Sequence, residues 1–172
     1  MTNERKSGHL GQGMLTVFWL LVLGALSYGF YIWEDRRQNP NQHIQGRVST
    51  DVREVELVRN AYGHYVSSGE INRQRVTFML DTGASSVAVP EALALKLGLK
   101  RGLRHQVYTA NGIADAYYTR IAHLRLGVIE LNDVAASITP GMTGDEILLG
   151  MSALKQLDFS QSGNRLTLIQ HQ

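Results

Sequence analysis

Apolar and polar positions divide the chain into two stretches of different character. Met14–Trp33 (MLTVFWLLVLGALSYGFYIW) carries no charged residue. At 1.5 Å per residue this run rises about 30 Å, the thickness of a bilayer's hydrocarbon core. Tyr28, Tyr31 and Trp33 gather at its C-terminal end, where amphipathic rings favour the headgroup zone. Arg5 and Lys6 precede the run, and Arg36 and Arg37 follow it. A cleaved leader is the alternative, with Arg5 and Lys6 as its basic start and Ala25 and Ser27 as small cleavage-site residues. Apolar residues continue past Ser27 through Phe30, Ile32 and Trp33, so the length favours a retained transmembrane helix over residues 14–33. Ala25 and Gly29 have the small-xxx-small spacing that lets two spans pack closely.

Beyond the run, residues 34–52 are polar and predict a tether, preceded by a short N-terminal tail over 1–13. Short β patterns then occupy 53–172. Strands are expected at Val55–Arg59, His64–Ser67, Arg75–Leu80 and Ser86–Val89, with turns at Gly63 and from Gly69 to Asn72. Pro90 as a first helical position, followed by EALALKL and Gly98, predicts a short helix. Strands resume at Gln106–Ala110 and Ile113–Leu126 around Asn111-Gly112, a dipeptide suited to a tight hairpin. Val128–Leu131, Val134–Ile138 and Ile147–Leu149 follow. Ser152 is the expected cap of a second short helix with Leu154 and Leu157 inward, before a hairpin at Ser162-Gly163-Asn164 and a strand at Arg165–Ile169. The domain reads as all-β with two minor helices.

Composition narrows the chemistry. The chain has 172 residues, enough for one compact domain and a short appendage. Its formal charge of +2 comes from scattered basic residues, with Lys100, Arg101 and Arg104 the main loose cluster. A nucleic-acid surface needs a denser basic patch with stacking aromatics, so nucleic acid is not an expected partner. The absence of cysteine excludes disulfides, thiolate metal sites and a cysteine nucleophile. The six histidines show no metal-ligand spacing, so neither metal nor cofactor is expected.

The stretch that carries chemistry is RVTFMLDTGASSVAVP, residues 75–90. Asp81 directly follows an apolar strand, and Thr82-Gly83 forces a tight loop before the next strand. An acid at the edge of two buried strands is costly unless it is hydrogen-bonded or has a use. A solvated turn aspartate is the ordinary role of Asp-x-Gly, but apolar residues on both sides argue against it.

Asp81-Thr82-Gly83-Ala84-Ser85 resembles the catalytic loop of retropepsin-like aspartic proteases. Tyr108-Thr109-Ala110-Asn111-Gly112 resembles the flap, a hairpin that folds over bound peptide. Ile147-Leu148-Leu149-Gly150 resembles the strand passing beneath the catalytic loop, where Leu149 and Gly150 would support it. Order, one-lobe length and anchor are most similar to bacterial membrane-anchored members, over about residues 55 to 170. Many retroviral relatives carry an aspartate where this chain has Ser85, so contacts made there do not transfer. The resemblance implies a single-lobe closed β-barrel or sandwich behind the transmembrane helix, and an endopeptidase with Asp81 catalytic. It further implies a single-pass protein of the bacterial cytoplasmic (inner) membrane. The domain is expected on the periplasmic side, although the Lys and Arg count across the span does not favour that side.

Hydrolysis by this route needs two carboxylates about one water. The chain holds one Asp-Thr-Gly; Asp115, Asp133, Asp145 and Asp158 lack a following Thr/Ser-Gly. A two-fold homodimer would supply the second Asp81 by symmetry. Thr82 would bond across the axis, Gly83 would allow close backbone approach, and Ala84 adds no side-chain polar group. The rival reading is a membrane-tethered module of the same fold that binds extended peptides without cutting them.

Overall fold

The computed structural model describes residues 7–109 and 112–171, in two units that meet between Arg37 and Gln38. The first unit is the helix α1, which spans Ser7–Gln38 and so continues into the second by one residue. Its segment Gly13–Gln38 is long and apolar enough to cross a bilayer, a test that a signal sequence also meets. Large apolar side chains from Met14 to Trp33 are exposed. Arg36 and Arg37 occupy the last turn, where cations complement the carbonyl end of the helix. The Arg37 guanidinium lies 4.5 Å above the Trp33 ring.

The second unit is mostly β. Its strands are β1 (Gly46–Val48), β2 (Val52–Val58), β3 (Val66–Ile71), β4 (Gln74–Leu80), β5 (Val87–Pro90) and β6 (Arg104–Thr109). They continue with β7 (Gly112–Leu126), β8 (Ile129–Thr139), β9 (Glu146–Leu149), β10 (Asp158–Ser162) and β11 (Arg165–His171). Two short helices, α2 (Glu91–Lys96) and α3 (Met151–Leu154), follow β5 and β9. The strands form a sheet in the order β1-β2-β11-β10 and a second in the order β3-β4-β9-β5-β8-β7-β6, where a further β3–β7 pairing closes the second upon itself. Alternation sets the faces. Val55 and Leu57 of β2, Val76 and Phe78 of β4, and Leu166 and Leu168 of β11 point inward, with Glu56 and Arg165 outside. Phe78, Ile121, Leu124, Ile138, Ile147 and Leu149 are among the fully buried side chains of one core. This is the all-β fold with two short helices that the residue pattern predicts.

Several boundaries differ from expectation. β3 runs through Gly69, and its turn falls at Asn72-Arg73, both at positive φ, because the Asn72 side chain and amide bond to His123. Pro90 ends β5 in an extended conformation (φ −55°, ψ 140°) instead of opening α2. Ile129–Thr139 is one strand despite positive φ at Asp133. Ser152 lies inside α3, with Gly150 as the preceding cap residue, because its hydroxyl is used elsewhere.

The largest difference concerns the polar segment 34–52. α1 continues to Gln38, and the residues directly after it belong to the domain. Asn41 is 5% exposed; its amide nitrogen donates to the Val58 and Val66 carbonyls at 2.8 and 2.7 Å, and its oxygen accepts from the Val58 N–H at 2.7 Å. Asn39, also buried, donates to Ser68 Oγ and accepts from the Asn41 N–H. Asn60 donates to the Gln38 carbonyl at 2.9 Å. β2 belongs to one sheet and β3 to the other, with no ladder between them, and Val58 at the end of β2 and Val66 at the start of β3 both bond to the Asn41 side chain. Asn41 thus ties the two sheets together through their backbones, which is why polar residues here mark a docked segment and not a free linker.

Replacing Asn41 by Ala leaves buried groups of Val58 and Val66 unpaired. Asn41→Ala is expected to lower the unfolding free energy by about 2–4 kcal/mol in urea titrations. Asn132→Ala, at an exposed position of β8, should stay within about 0.5 kcal/mol of the parent.

Candidate active site

Residues 81–86 join β4 to β5, yet these strands are not neighbours. β9 lies between them, parallel to β4 (Leu80 opposite Leu149) and antiparallel to β5 (Ala88 opposite Leu148). The loop must therefore pass over the end of β9, where the chain has Gly150. A Cβ there would press on the Ser86 and Ala84 carbonyl oxygens, 2.7 Å from the latter. Only glycine lets the loop lie that close. Hydrogen bonds then fasten it: the Asp81 N–H donates to the Leu149 carbonyl at 3.2 Å, and the Met151 N–H to the Ala84 carbonyl at 2.8 Å.

Within the loop, one Asp81 oxygen accepts the Gly83 N–H at 2.8 Å, and the Ala84 N–H donates to the Asp81 carbonyl at 3.3 Å. Among the described residues no donor reaches the other carboxylate oxygen, and no cation pairs with it. Thr82, Gly83 and Ser85 are exposed, while Asp81 and Ala84 are half-buried. A Cβ at position 83 would stand 3.1 Å from the carboxylate, so Gly83 also gives Asp81 room.

A cleft of about 1440 Å³ opens beside the loop. Its lining includes Asp81 and Gly83 to Ser85 of the loop, Val107 to Thr109 and Ile113 of the β6–β7 hairpin, and Gly141 to Thr143. Tyr108 and Ile113 are 89% and 61% exposed, so this hairpin holds apolar side chains over the cleft without cover from its own chain. Thr109 pairs with Gly112, which has φ +106°. The two residues between them, Ala110 and Asn111 of the expected flap, lie outside the described residues. At the base of the hairpin Arg104 pairs with Asp115. The hydrogen bond from Arg104, aided by its charge, holds the Asp115 carboxyl below the usual carboxylate range.

The fold thus brings Asp81, Thr82, Gly83, Ala84 and Ser85 together with Leu149 and Gly150, and sets Tyr108, Thr109 and Gly112 on the hairpin beside them. It adds residues that the sequence does not reveal. Ser86 Oγ lies 3.1 Å from Ser137 Oγ, which lies 3.2 Å from His105 Nε2, and the His105 ring stacks on Tyr118 at 3.8 Å. Ser152 Oγ donates to the Ala135 carbonyl at 2.6 Å and accepts the Val87 N–H at 3.0 Å. These side chains lock the far end of the loop to β8. Their partners are 17 to 65 residues apart in the chain, so no local pattern signals them.

Residues 67–156, more than half of the chain, match the family model described as gag-polyprotein putative aspartyl protease. The chain belongs to the retropepsin-like aspartic protease family. Its fold is similar to the crystal structure of a retropepsin-like aspartic protease from Rickettsia conorii, with a TM-score of 0.60 and 27% identity over 75% of this chain and 96% of that one. An uncharacterized protein in the cobV 5′ region of a Sinorhizobium species is 27% identical over 88% of this chain and 70% of its own length. An uncharacterized protein of Rickettsia prowazekii (strain Madrid E) is 32% identical over 63% of this chain, which spans about half (47%) of that relative's length.

Two outcomes follow from this geometry. Gly150→Ala should cost about 1–3 kcal/mol by overpacking against backbone, read as an earlier urea midpoint, and should weaken amide-exchange protection at Asp81 and Met151. For the β6–β7 hairpin, a carboxyl whose folded pKa is depressed adds stability above its unfolded pKa, and that stability is lost as pH falls through the folded value. Asp115→Asn should therefore speed amide exchange at Val107 and Ala114 by about twofold at pH 7, an effect that shrinks as the pH is lowered past the usual carboxylate range.

Proposed function

We propose that this retropepsin-like chain is an aspartic endopeptidase that works as a two-fold homodimer, with Asp81 of each copy flanking one water. The observation that carries the reading is the state of Asp81. The Gly83 amide positions its carboxylate, and among the described residues no cation neutralises it and one oxygen has no donor. A general base needs lone pairs free to take a proton, and Asp81 has them. A fold-stabilising acid would be expected to use both oxygens.

Retropepsins function as dimers, which suits a chain with one Asp-Thr-Gly. The exposure of Thr82, Gly83 and Ser85 leaves the loop open to a second copy. In the pair, two carboxylates share one proton, since like charges about 3 Å apart cannot both ionise. The ionised member takes a proton from the water while the protonated member donates to the scissile carbonyl oxygen. Their two apparent pKa values belong to the dyad. Thr82 would bond across the axis, and the flap, with Tyr108, Thr109 and Gly112, would hold the peptide extended beside the apolar cleft wall. The Met14–Trp33 run is the proposed membrane anchor, with the domain on the periplasmic face of a bacterial inner membrane.

Asp81→Asn should lower peptide cleavage by at least about 10³-fold with unfolding unchanged. Mixing equal amounts of the variant and the parent, after exchange of subunits, should leave about a quarter of the parental activity, because only parent–parent pairs hold two acids. Retention of half would mean that each chain acts alone, and full activity of the variant would remove Asp81 from the chemistry.

A further inference from the structure

The residues after α1 allow the reach of the domain to be stated. Asn39 and Asn41 are buried in it, Ser68 N–H and Ser67 Oγ donate to the Asn41 carbonyl, and Asn41 makes a parallel bridge with Ser67. With Asn60 bonded to the Gln38 carbonyl, no free residue separates the end of α1 from the clasp. Glu34 to Gln38 are all that lies between the apolar run and Asn39. They span about 8 Å as helix and about 17 Å fully extended. A body of the length Gln38–Gln172 is roughly 37 Å across. The whole cleft therefore stays within about 55 Å of the hydrocarbon edge.

We propose that the Asn39–Asn41 clasp restricts this protease to membrane-proximal peptide segments, the parts of other anchored proteins that lie next to the bilayer. This rests on the proposed activity and on a retained anchor. A segment beside the bilayer lies within this reach; a distant loop must first descend to it.

The test uses the full chain in vesicles. Because the chain has no cysteine, Asn132→Cys on the exposed face of β8 accepts a single dye for energy transfer to headgroup acceptors, a readout independent of catalysis. A companion form carries 60 Gly/Ser residues between Gln38 and Asn39, which keeps the asparagine clasp and adds about 43 Å of root-mean-square reach. One cleavable peptide is presented three ways: near a transmembrane anchor, on a rigid helical spacer of about 75 Å, and free in solution. The parent should show strong transfer and cut the near peptide at least about tenfold faster than the far one. The lengthened form should show weaker transfer and cut near and far peptides within about twofold of each other. Equal transfer in the two forms, release of the parent from vesicles, or equal cutting of near and far peptides by the parent overturns the proposal. If transfer differs as expected but no peptide is cut, not even the free one, the protease reading fails and takes the substrate class with it.

Discussion

The carboxylate proposed to meet substrate has to stay open to solvent and still be held in place, and here the backbone does the holding. The loop carrying Asp81 crosses the end of β9, so its two strands are pinned on either side of a third. Gly150 lets the crossing be close, and Leu149 and Met151 bond to the loop from below. Side chains could not replace this support without covering the carboxylate. The rest of the cleft inherits its geometry from that crossing: Ser86 and Val87 are tied to β8 through Ser137 and Ser152, and the flap hairpin extends from β8 through β7.

The same support explains why the loop is rigid below and bare above. Its lower face is met by β9 and α3, whose Ser152, Ala153 and Leu154 are buried. Its upper face exposes Thr82, Gly83 and Ser85. The β6–β7 hairpin has a matching asymmetry, with an ion pair at its base and exposed apolar side chains toward its tip. Such a half-lined cleft suits a fold whose relatives function as dimers. A single chain would leave the acid and the apolar hairpin facing water.

How much of this could be read beforehand depended on the range of the interaction. Strand alternation around Phe78, the acid after Leu80 and the glycine after Leu149 are local signals, and they place the loop and the strand beneath it. The β6–β7 hairpin was equally visible from its strands. The Ser86–Ser137–His105 chain was not, because it needs β8 to pack beside β5, and a serine in a strand carries no mark of its partner. Ser152 misled for the same reason: its position suggests a cap, but a buried amide at Val87 and a carbonyl at Ala135 claim the hydroxyl. The polar segment misled most. Asparagines are common in linkers because they bond to backbone, and that property lets Asn41 tie the end of β2 to the start of β3 across two sheets.

That tie bears on how two copies of the proposed dimer would meet. Association in solution costs several kcal/mol of translational and rotational freedom. Chains confined to one plane have already given up part of it. A long tether would lose part of that gain, since the domains would spread through a thicker layer above the membrane. With only Glu34 to Gln38 between the apolar run and Asn39, two anchored copies would share a thin layer, which raises the effective concentration of one half-site at the other. Asn39 and Asn41 thus act twice, once by bonding backbone groups at Val58, Val66 and Ser68, and again by keeping the chain between the proposed anchor and the domain short.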